Sequence, residues 1–296
     1  PVLIDEVQYA PELFSYIKIA VDNGAAPGSY WLTGSQAYRL MELAQESLAG
    51  RTAILHMSAL SQSELCGAME VSPFSLELDE LQKRKAVLSP ATPKEIYQRI
   101  WDGALPGHRS GKHKDRDVFY SSYIQTYIDR DVTTDIPGVD KVMFADFIRA
   151  AACRSGQMLN LHDIAGDVGV SDDTAKRWMK ELEKSGIVFF LHPYSNNLLK
   201  RTIKTPKMYF FDTGLVSYLT RYSSPEILMN GAINGAVLEN YVVSEIIKTY
   251  SNSAKDCLLH YYRDKNSNEI DLIMESDGQL HPIEIKKSIN PPTQIT

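Results

Sequence analysis

The stretch Val2-Leu3-Ile4-Asp5-Glu6 determines the fold expected for the first part of this sequence. Three consecutive apolar residues, two of them β-branched, predict a buried strand that ends in two acids. A helical pattern follows over residues 11–22, and Tyr30-Trp31-Leu32 predicts a second short strand. A helix over 37–48 and a strand over 53–57 continue the alternation, which favours a parallel sheet with helices packed against it. Residues 61–134 are predicted to be mainly helical.

Composition limits the classes of protein that fit. The 296 residues are 44% hydrophobic and 23% charged, which is typical of a globular chain and excludes disorder and fibrous repeats. The apolar runs are far too short to span a bilayer. Cys66, Cys153 and Cys257 are widely separated, so the sequence supports neither a disulfide framework nor a thiolate zinc site. Without a visible signal peptide, we expect a cytoplasmic protein.

The acids that end the first strand have the form of a Walker B element. In such an element one carboxylate lies near Mg²⁺ and another orients the attacking water, roles that Asp5 and Glu6 would take in that order. Ser35, after the next strand, is placed to sense the γ-phosphate of ATP. Arg51 is open to two interpretations: it faces a phosphate or a neighbouring subunit, or it pairs with an acid at the sheet edge.

A helix-turn-helix is predicted further along the chain. One helix covers 144–153, a second begins after Asn160, Gly169 makes the turn, and Ser171 caps a third helix that reaches Lys184. Strands over 187–191 and 207–211 then form a wing. Candidate DNA contacts are Lys176, Arg177 and Lys180 on the third helix and Lys200, Arg201 and Lys204 in the wing, where Lys207 adds a further cation.

Charge is distributed unevenly. The whole chain has 31 Lys and Arg against 37 Asp and Glu, a net charge of −6, so it is not basic throughout. Residues 144–207 contain ten Lys or Arg and seven Asp or Glu, a net of +3. This local excess favours DNA contact, but many domains of this shape bind proteins instead, and Asp172 and Asp173 would repel phosphates.

Four ionisable residues interrupt the apolar pattern of the last unit. A helix over 236–250 carries Glu239, and strands are predicted over 258–262, 269–274 and 281–285, with a hairpin turn at Asp277-Gly278. Asp271 lies on the second strand, while Glu284 and Lys286 share one face of the third. Carboxylates so placed can bind Mg²⁺, and the lysine can offset charge that develops on a phosphodiester. Glu-x-Lys is also common on inert exposed strands.

Together these motifs resemble known families. Ile4-Asp5-Glu6-Val7-Gln8, Leu32-Thr33-Gly34-Ser35, Leu48-Ala49-Gly50-Arg51 and Leu60-Ser61-x-x-Glu64-Leu65 occur in the order seen in prokaryotic AAA-type P-loop ATPases with a C-terminal domain of unknown function. Tyr127-Ile128-x-Arg130-Asp131-Val132 and Tyr209-Phe210-x-Asp212-Thr213-Gly214-Leu215 resemble that C-terminal domain. The resemblance covers nearly the whole chain and implies an ATPase module, a helical segment and a winged-helix region.

The order Glu239, Asp271, Glu284-x-Lys286 also resembles the PD-(D/E)xK nuclease superfamily. By that resemblance Asp271 and Glu284 are metal ligands, Lys286 is the catalytic lysine and Glu239 is an auxiliary acid. Arg263 and Glu269 are further candidates to line the site. Nuclease-like folds also serve as inert binding modules, so cleavage and binding both remain open.

The ATPase resemblance has one large departure. No Gly-x-x-x-x-Gly-Lys-Ser/Thr loop is present, and in the family this phosphate-binding loop lies upstream of the strand at which the sequence starts. The sequence is therefore a fragment, as the abrupt start at Pro1 favours, or a dead ATPase. We expect this chain to bind ATP weakly, although ATP is expected for a full-length protein. The closing helix of the nuclease-like fold is also expected to be missing after Lys286.

The sequence thus predicts a multidomain protein of α/β and α+β class. Its parts are a truncated parallel-sheet P-loop ATPase module at 1–65, a helical lid at 66–140, a winged helix-turn-helix at 141–222 and a restriction-endonuclease-like domain at 228–296. The expected function is that of a DNA-associated, AAA-type ATPase fragment with an Mg²⁺-dependent nuclease-like module. The alternative is an ATP-gated regulatory or protein-interaction protein whose nuclease-like domain is inert. A protein partner and a homo-oligomer fit either function, and no membrane is expected.

Overall fold

In the part of the chain that it describes, the computed structural model has a mixed α and β architecture with three small sheets and a larger number of helices. The structure describes residues 1–34, 37–67, 72–87, 90–111, 115–195, 205–264, 266, 268–276 and 278–287. Three separate hydrophobic clusters form the cores of this fold. None of the helices in these ranges combines the length and the apolar character that a membrane span requires.

The N-terminal part is a strand–helix–strand–helix unit, as predicted. The order is β1 (Val2–Ile4), α1 (Leu13–Asp22), β2 (Tyr30–Leu32) and α2 (Ala37–Leu48). The two strands pair in parallel, with Leu3 opposite Trp31. α1 ends where expected because Gly24 adopts a left-handed φ of 95°, which no helix interior permits. Apolar side chains from both helices, including Phe14 and Leu48, form the core beside the strands.

Two expectations for this unit are wrong. The β1 strand is not buried, since Val2 is 53% and Leu3 68% exposed. Residues 53–57 form no strand and are exposed throughout, because in the described part of the chain this segment pairs with no neighbour that could bond its backbone groups.

The segment that follows, over residues 60–87, is hydrogen-bonded to the long helix near the C-terminus. α3 (Gln62–Leu65) begins at a capping box formed by Ser61 and Glu64, and α4 is Leu78–Val87. The buried Lys248 donates from Nζ to the Leu60 carbonyl at 3.1 Å, and Tyr250 donates from its hydroxyl to the Phe74 carbonyl at 2.7 Å.

A central helical region joins residues from both sides of position 140 in one core. Its helices are α5 (Pro93–Asp102), α6 (Pro106–Arg109), α7 (Arg116–Tyr127), a π-helical turn (Ile128–Val132), α8 (Thr133–Asp135), α9 (Lys141–Ala152), α10 (Leu161–Val168), α11 (Asp172–Lys184) and α12 (Thr213–Leu219). The Tyr127 ring lies 6.3 Å from that of Phe144, and Trp178 packs edge-on against Phe144 and Phe147. The helix boundaries follow the predicted caps, Asn160, Gly169 and Ser171.

An antiparallel sheet adjoins these helices. Its strands are β3 (Gln157–Met158), β4 (Val188–Leu191) and β5 (Lys207–Phe210), in the order β3-β5-β4. The two strands predicted for a wing are therefore paired, with Val188 opposite Phe210. The segment that joins them, 196–204, lies outside the described residues.

Asp212 explains one of the sequence motifs as a structural clamp. Its buried carboxylate accepts bonds from the Ala104 amide at 2.6 Å, the Tyr120 hydroxyl at 2.8 Å and the Leu215 amide at 2.7 Å. Gly214 is required beside it, because a Cβ there would lie 2.1 Å from the Tyr120 hydroxyl oxygen. The Asp-Thr-Gly-Leu motif thus holds the end of α5, the middle of α7 and the start of α12 together.

The C-terminal unit contains helices α13 (Pro225–Asn230) and α14 (Asn234–Ser251) and strands β6 (Leu259–Arg263), β7 (Glu269–Ser276) and β8 (Gln279–Ile283). The strands form an antiparallel meander, and the predicted hairpin is present, with Ser276 opposite Gln279. β8 ends before Glu284, so the prediction that Glu284 and Lys286 lie on this strand is wrong. The strand ends there because the ladder with β7 stops at the Leu272–Ile283 pair.

Candidate functional site

Lys207 lies at the centre of the charged cluster in the C-terminal half. It begins β5, its side chain is only 4% exposed, and its Nζ lies 2.9 Å from Glu239 Oε1 and 2.5 Å from Glu269 Oε1. Arg263 approaches Glu269 from the other side, at 3.5 Å. The expectation that Lys207 is a wing cation facing DNA is therefore wrong, because two carboxylates hold it inside the protein.

Burial and hydrogen bonding set the protonation of this cluster. Desolvation alone would lower the pKa of Lys207, but the charges of Glu239 and Glu269 outweigh it and raise that pKa above its ordinary value. Burial raises the pKa of the Glu239 carboxyl, and the bonds from Lys207 and Tyr209 only partly oppose this rise. The Tyr209 hydroxyl donates to Glu239 Oε1 at 2.5 Å. Lys207 is thus a buried positive charge between two acids, of which Glu239 is the more buried.

Three of the four residues of the predicted nuclease-like motif come together. Asp271, on β7, accepts a bond from the Ile285 amide at 2.8 Å, which draws the segment after β8 towards it. Lys286 Nζ lies 2.7 Å from Glu284 Oε2 and 3.5 Å from Asp271 Oδ2. The hydrogen bond to Glu284 raises the pKa of Lys286, with the charge of Asp271 adding to the effect. Asp271 also acts electrostatically on Glu239, so the two groups of charges adjoin.

The side chains do not fit a metal ion as arranged. Throughout the residues that the structure describes, no three His, Cys, Asp or Glu side chains are grouped so that they could hold one. The carboxylates predicted as ligands are instead held by lysines: Glu239 by Lys207, and Asp271 and Glu284 by Lys286. One oxygen of each of these carboxylates thus faces an ammonium group.

Three cations line the outer side of α11. Lys176, Arg177 and Lys180 are exposed, whereas Ala175, Trp178 and Met179 of the same helix are buried. No ion pair of these three cations is found in the described part of the chain. Asp172, which was expected to repel phosphates, lies 3.1 Å from His162 Nδ1. The wing candidates Lys200, Arg201 and Lys204 lie outside the described residues.

The acids at the end of β1 are held by local hydrogen bonds. The Thr33 hydroxyl donates to Asp5, and the Gln8 amide donates to Glu6. Glu6 has a left-handed φ of 51°, an unusual conformation for a residue with a side chain. Arg51 pairs through Nε with Asp22 at 2.6 Å; the acid stands at the end of helix α1 and not on a strand. Ser35 lies outside the described residues.

Sequence reasoning missed the central role of Lys207 and its partner Tyr209. A signal was present, because Lys207 opens the run Lys-Met-Tyr-Phe, in which every residue proves to be buried. A lysine inside an apolar strand needs acids near it, and Glu239 and Glu269 are acids of the same half of the chain.

Comparison with family models separates three segments. Residues 1–66 match the model of an AAA domain, residues 93–226 that of a domain of unknown function (DUF8612), and residues 234–295 that of a second domain of unknown function (DUF4143). An AAA domain followed by domains of unknown function is the order that the resemblance implied. These matches do not address a winged helix or a nuclease-like fold.

Two curated relatives extend over the chain. They are the uncharacterized protein Mb2031c of Mycobacterium bovis and the uncharacterized protein Rv2008c of Mycobacterium tuberculosis, each 26% identical over 98% of this chain. The chain spans 59% of the length of these relatives. The search of solved structures found no significant match to the chain.

Proposed function

We propose that the chain is part of an AAA-type, DNA-associated protein in which α9–α11 and the β3-β5-β4 sheet act as a winged helix. The observation that carries the proposal is the row of exposed cations, Lys176, Arg177 and Lys180, on the outer side of α11. A helix that follows a turn and presents cations on its exposed side has the chemistry needed to contact DNA phosphates in the major groove. The AAA domain match supports an ATPase-like module in the same protein.

The acid cluster fits a binding role better than a cutting role. Hydrolysis of a phosphodiester by this class of site needs carboxylate oxygens that are available to a divalent cation. Lys207 supplies a positive charge between Glu239 and Glu269, and Lys286 does so between Asp271 and Glu284. We therefore infer a nuclease-like module whose carboxylates are held by its own lysines and which serves to bind or position a partner.

The DNA proposal is tested with the triple variant Lys176→Ala, Arg177→Ala, Lys180→Ala, by fluorescence anisotropy of a labelled duplex at several salt concentrations. The wild-type chain should bind with a strong salt dependence. If each cation contacts one phosphate, the slope of log K against log[salt] should become shallower by roughly 2.7 in the variant. Unchanged binding would remove the proposal.

A matched control separates local contact from net charge. The variant Lys18→Ala, Lys83→Ala, Lys85→Ala removes the same charge from exposed positions on α1 and α4. Its DNA affinity should stay within about threefold of the wild type, because none of these lysines lies on α11 and salt screens exposed charges that do not contact the DNA. Equal losses in both triple variants would indicate a nonspecific effect of charge and contradict binding through α11.

A metal-dependent nuclease is the second candidate, and the convergence of Asp271, Glu284 and Lys286 favours it. The test is incubation of plasmid DNA with the chain and Mg²⁺ or Mn²⁺, in parallel with thermal unfolding with and without the metal. The binding role predicts no cleavage and no metal-dependent shift in melting temperature. Nicking that requires metal and disappears in Asp271→Asn would establish the second candidate instead.

A further inference from the structure

A pocket of about 320 Å³ lies where the start of α7, the exposed side of α9 and the end of α12 meet. Arginines from all three places line it: Arg116, Arg149 and Arg221, with Asp117 as the acid. These charges sum to +2. The pocket shares no residue with the outer side of α11 or with the acid cluster around Lys207, so it is independent of the function proposed above.

Arg116 forms a fixed wall of the pocket. Its side chain is 7% exposed, its guanidinium stacks 4.0 Å from the centre of the Trp101 ring, and Nη2 donates to the Gly214 carbonyl at 3.0 Å. Nη1 pairs with Asp117 at 2.9 Å. An arginine so held cannot reorient, and it stays charged because the guanidinium does not lose its proton in proteins. It therefore contributes a permanent positive potential.

Arg221 has a backbone that would suit glycine better. It follows the end of α12 with φ of 61°, its amide donates to the Tyr218 carbonyl, and the next amide donates to the Ser217 carbonyl. Glycine is preferred at such a helix end, because a side chain is strained at positive φ. Within the described ranges, the Arg221 side chain has no ion pair. An arginine retained at a strained position with an unpaired head group points to a role for that head group.

The other residues that line the pocket suit a ligand in which a negatively charged group is attached to a flat ring. Arg149 reaches the pocket from α9 and uses Nη1 to pair with the exposed Asp146 at 2.5 Å. Tyr218, whose ring stacks 5.7 Å from that of Tyr120, and Tyr222 add aromatic surface. Arginine forks match the oxygen geometry of phosphates, and aromatic rings stack on bases.

We propose that this pocket binds a phosphate monoester, with Arg221 and Arg149 contacting its oxygens and the tyrosine rings contacting the group that carries it. A phosphate monoester has a charge of about −1.5 to −2 at neutral pH, which matches the net charge of the lining, whereas a single carboxylate does not. A nucleoside monophosphate and the 5′-phosphorylated end of a nucleic acid share this chemistry. A volume of about 320 Å³ is at the small end of the range for ligand sites.

The test measures binding of adenosine 5′-monophosphate and inorganic phosphate to the full chain by calorimetry and by melting temperature, with chloride at matched ionic strength. Arg221→Gly is the decisive variant, because glycine accepts the left-handed backbone and the ligand-free melting temperature should not fall. We expect its affinity for both probes to be at least tenfold weaker, since a charge-assisted hydrogen bond is lost. Lys18→Ala removes the same charge elsewhere and should leave the affinity unchanged.

Two oligonucleotides distinguish the end of a nucleic acid from a free nucleotide as the source of the phosphate. Tighter binding of a 5′-phosphorylated strand than of its 5′-hydroxyl counterpart indicates a nucleic-acid end, whereas binding of the monophosphate without that preference indicates a free nucleotide. Either result supports the proposal that the pocket binds a phosphate monoester. Absence of binding at millimolar probe, equal affinity for adenosine and its monophosphate, or Arg221→Gly binding like the wild type would overturn the proposal.

Discussion

The lysines of α11 and the lysines of the acid cluster have opposite environments. Lys176 and Lys180 extend from an exposed helix face, whereas Lys207 is buried between Glu239 and Glu269. An ammonium in water keeps its hydration and is free to exchange counterions for a phosphate. A buried one has lost that hydration and is held by its acids. The same residue type is therefore open to a phosphate in one region and holds carboxylates in the other.

Lys286 stands between these two cases. Its side chain is 51% exposed, yet it bonds to Glu284 and lies 3.5 Å from Asp271. Solvent screens this pair far more than it screens the pair of Lys207 with Glu239. Substitution of an exposed, a half-exposed and a buried lysine should therefore lower the free energy of unfolding by progressively larger amounts.

Lys207→Met should have the largest effect. It leaves the largely buried Glu239 without its cation and removes one of the two cations beside the partly exposed Glu269, which costs about 3 kcal/mol in the free energy of unfolding. Urea unfolding followed by circular dichroism measures this loss. Lys176→Met on α11 is the control and should stay within about 0.5 kcal/mol of the wild type. A loss below about 1 kcal/mol in Lys207→Met would show that the buried cluster is not held by this cation.

The stabilisation by Lys207 should also depend on pH. Because its pKa is raised in the folded chain, its contribution is fully present below the unfolded value of about 10.4 and is lost as pH rises through the folded value. The gap in unfolding free energy between wild type and Lys207→Met should therefore be constant from pH 8 to about pH 10 and narrow above it. A gap that already shrinks between pH 8 and 9 would contradict a raised pKa.

A single exposed lysine should affect DNA binding but not stability. Lys176→Ala is expected to make the slope of log K against log[salt] shallower by roughly 0.9, with an unchanged melting temperature. Anisotropy titrations at three or more salt concentrations measure the slope, and Lys18→Ala provides the matched loss of charge. A lowered melting temperature in Lys176→Ala would instead show that this exposed lysine stabilises the fold, which contradicts the contrast between α11 and the acid cluster.

Lys286→Met should have a smaller effect on stability than Lys207→Met, below about 1 kcal/mol, because the side chain is half exposed and its pair with Glu284 is screened. Chemical unfolding of Lys286→Met beside Glu284→Gln measures it, since both variants remove the same pair. A loss as large as that of Lys207→Met would place Lys286 in the buried network and would strengthen the case for a built catalytic constellation.

Much of the local structure was predictable. α2 has the bounds that its apolar pattern indicates, and the caps at Asn160 and Ser171 begin α10 and α11. The predicted hairpin between β7 and β8 is present, with Ser276 opposite Gln279, while Asp277 lies outside the described residues. These features succeed because turn chemistry, capping and helical periodicity act over a few neighbouring residues.

The failures have a common cause. Residues 53–57 have the composition of a strand but have no pairing partner in the described chain, and β8 stops before Glu284 because its ladder with β7 stops. The composition of a segment cannot reveal whether a neighbour is present. The convergence of Asp271, Glu284 and Lys286 was predicted correctly because a hairpin brings its own two ends together.

The sequence by itself determined the helices, the turns, the order of the segments and the positions of the unusual acids and cations. Only the tertiary structure determined which charges are free and which are paired. Lys207 and Glu239 are 32 residues apart and meet through the packing of β5 against α14, and the arginines of the pocket come from three separate helical segments. Charge pairing depends on distance and on exclusion of water, and both are set by the packing of the whole chain.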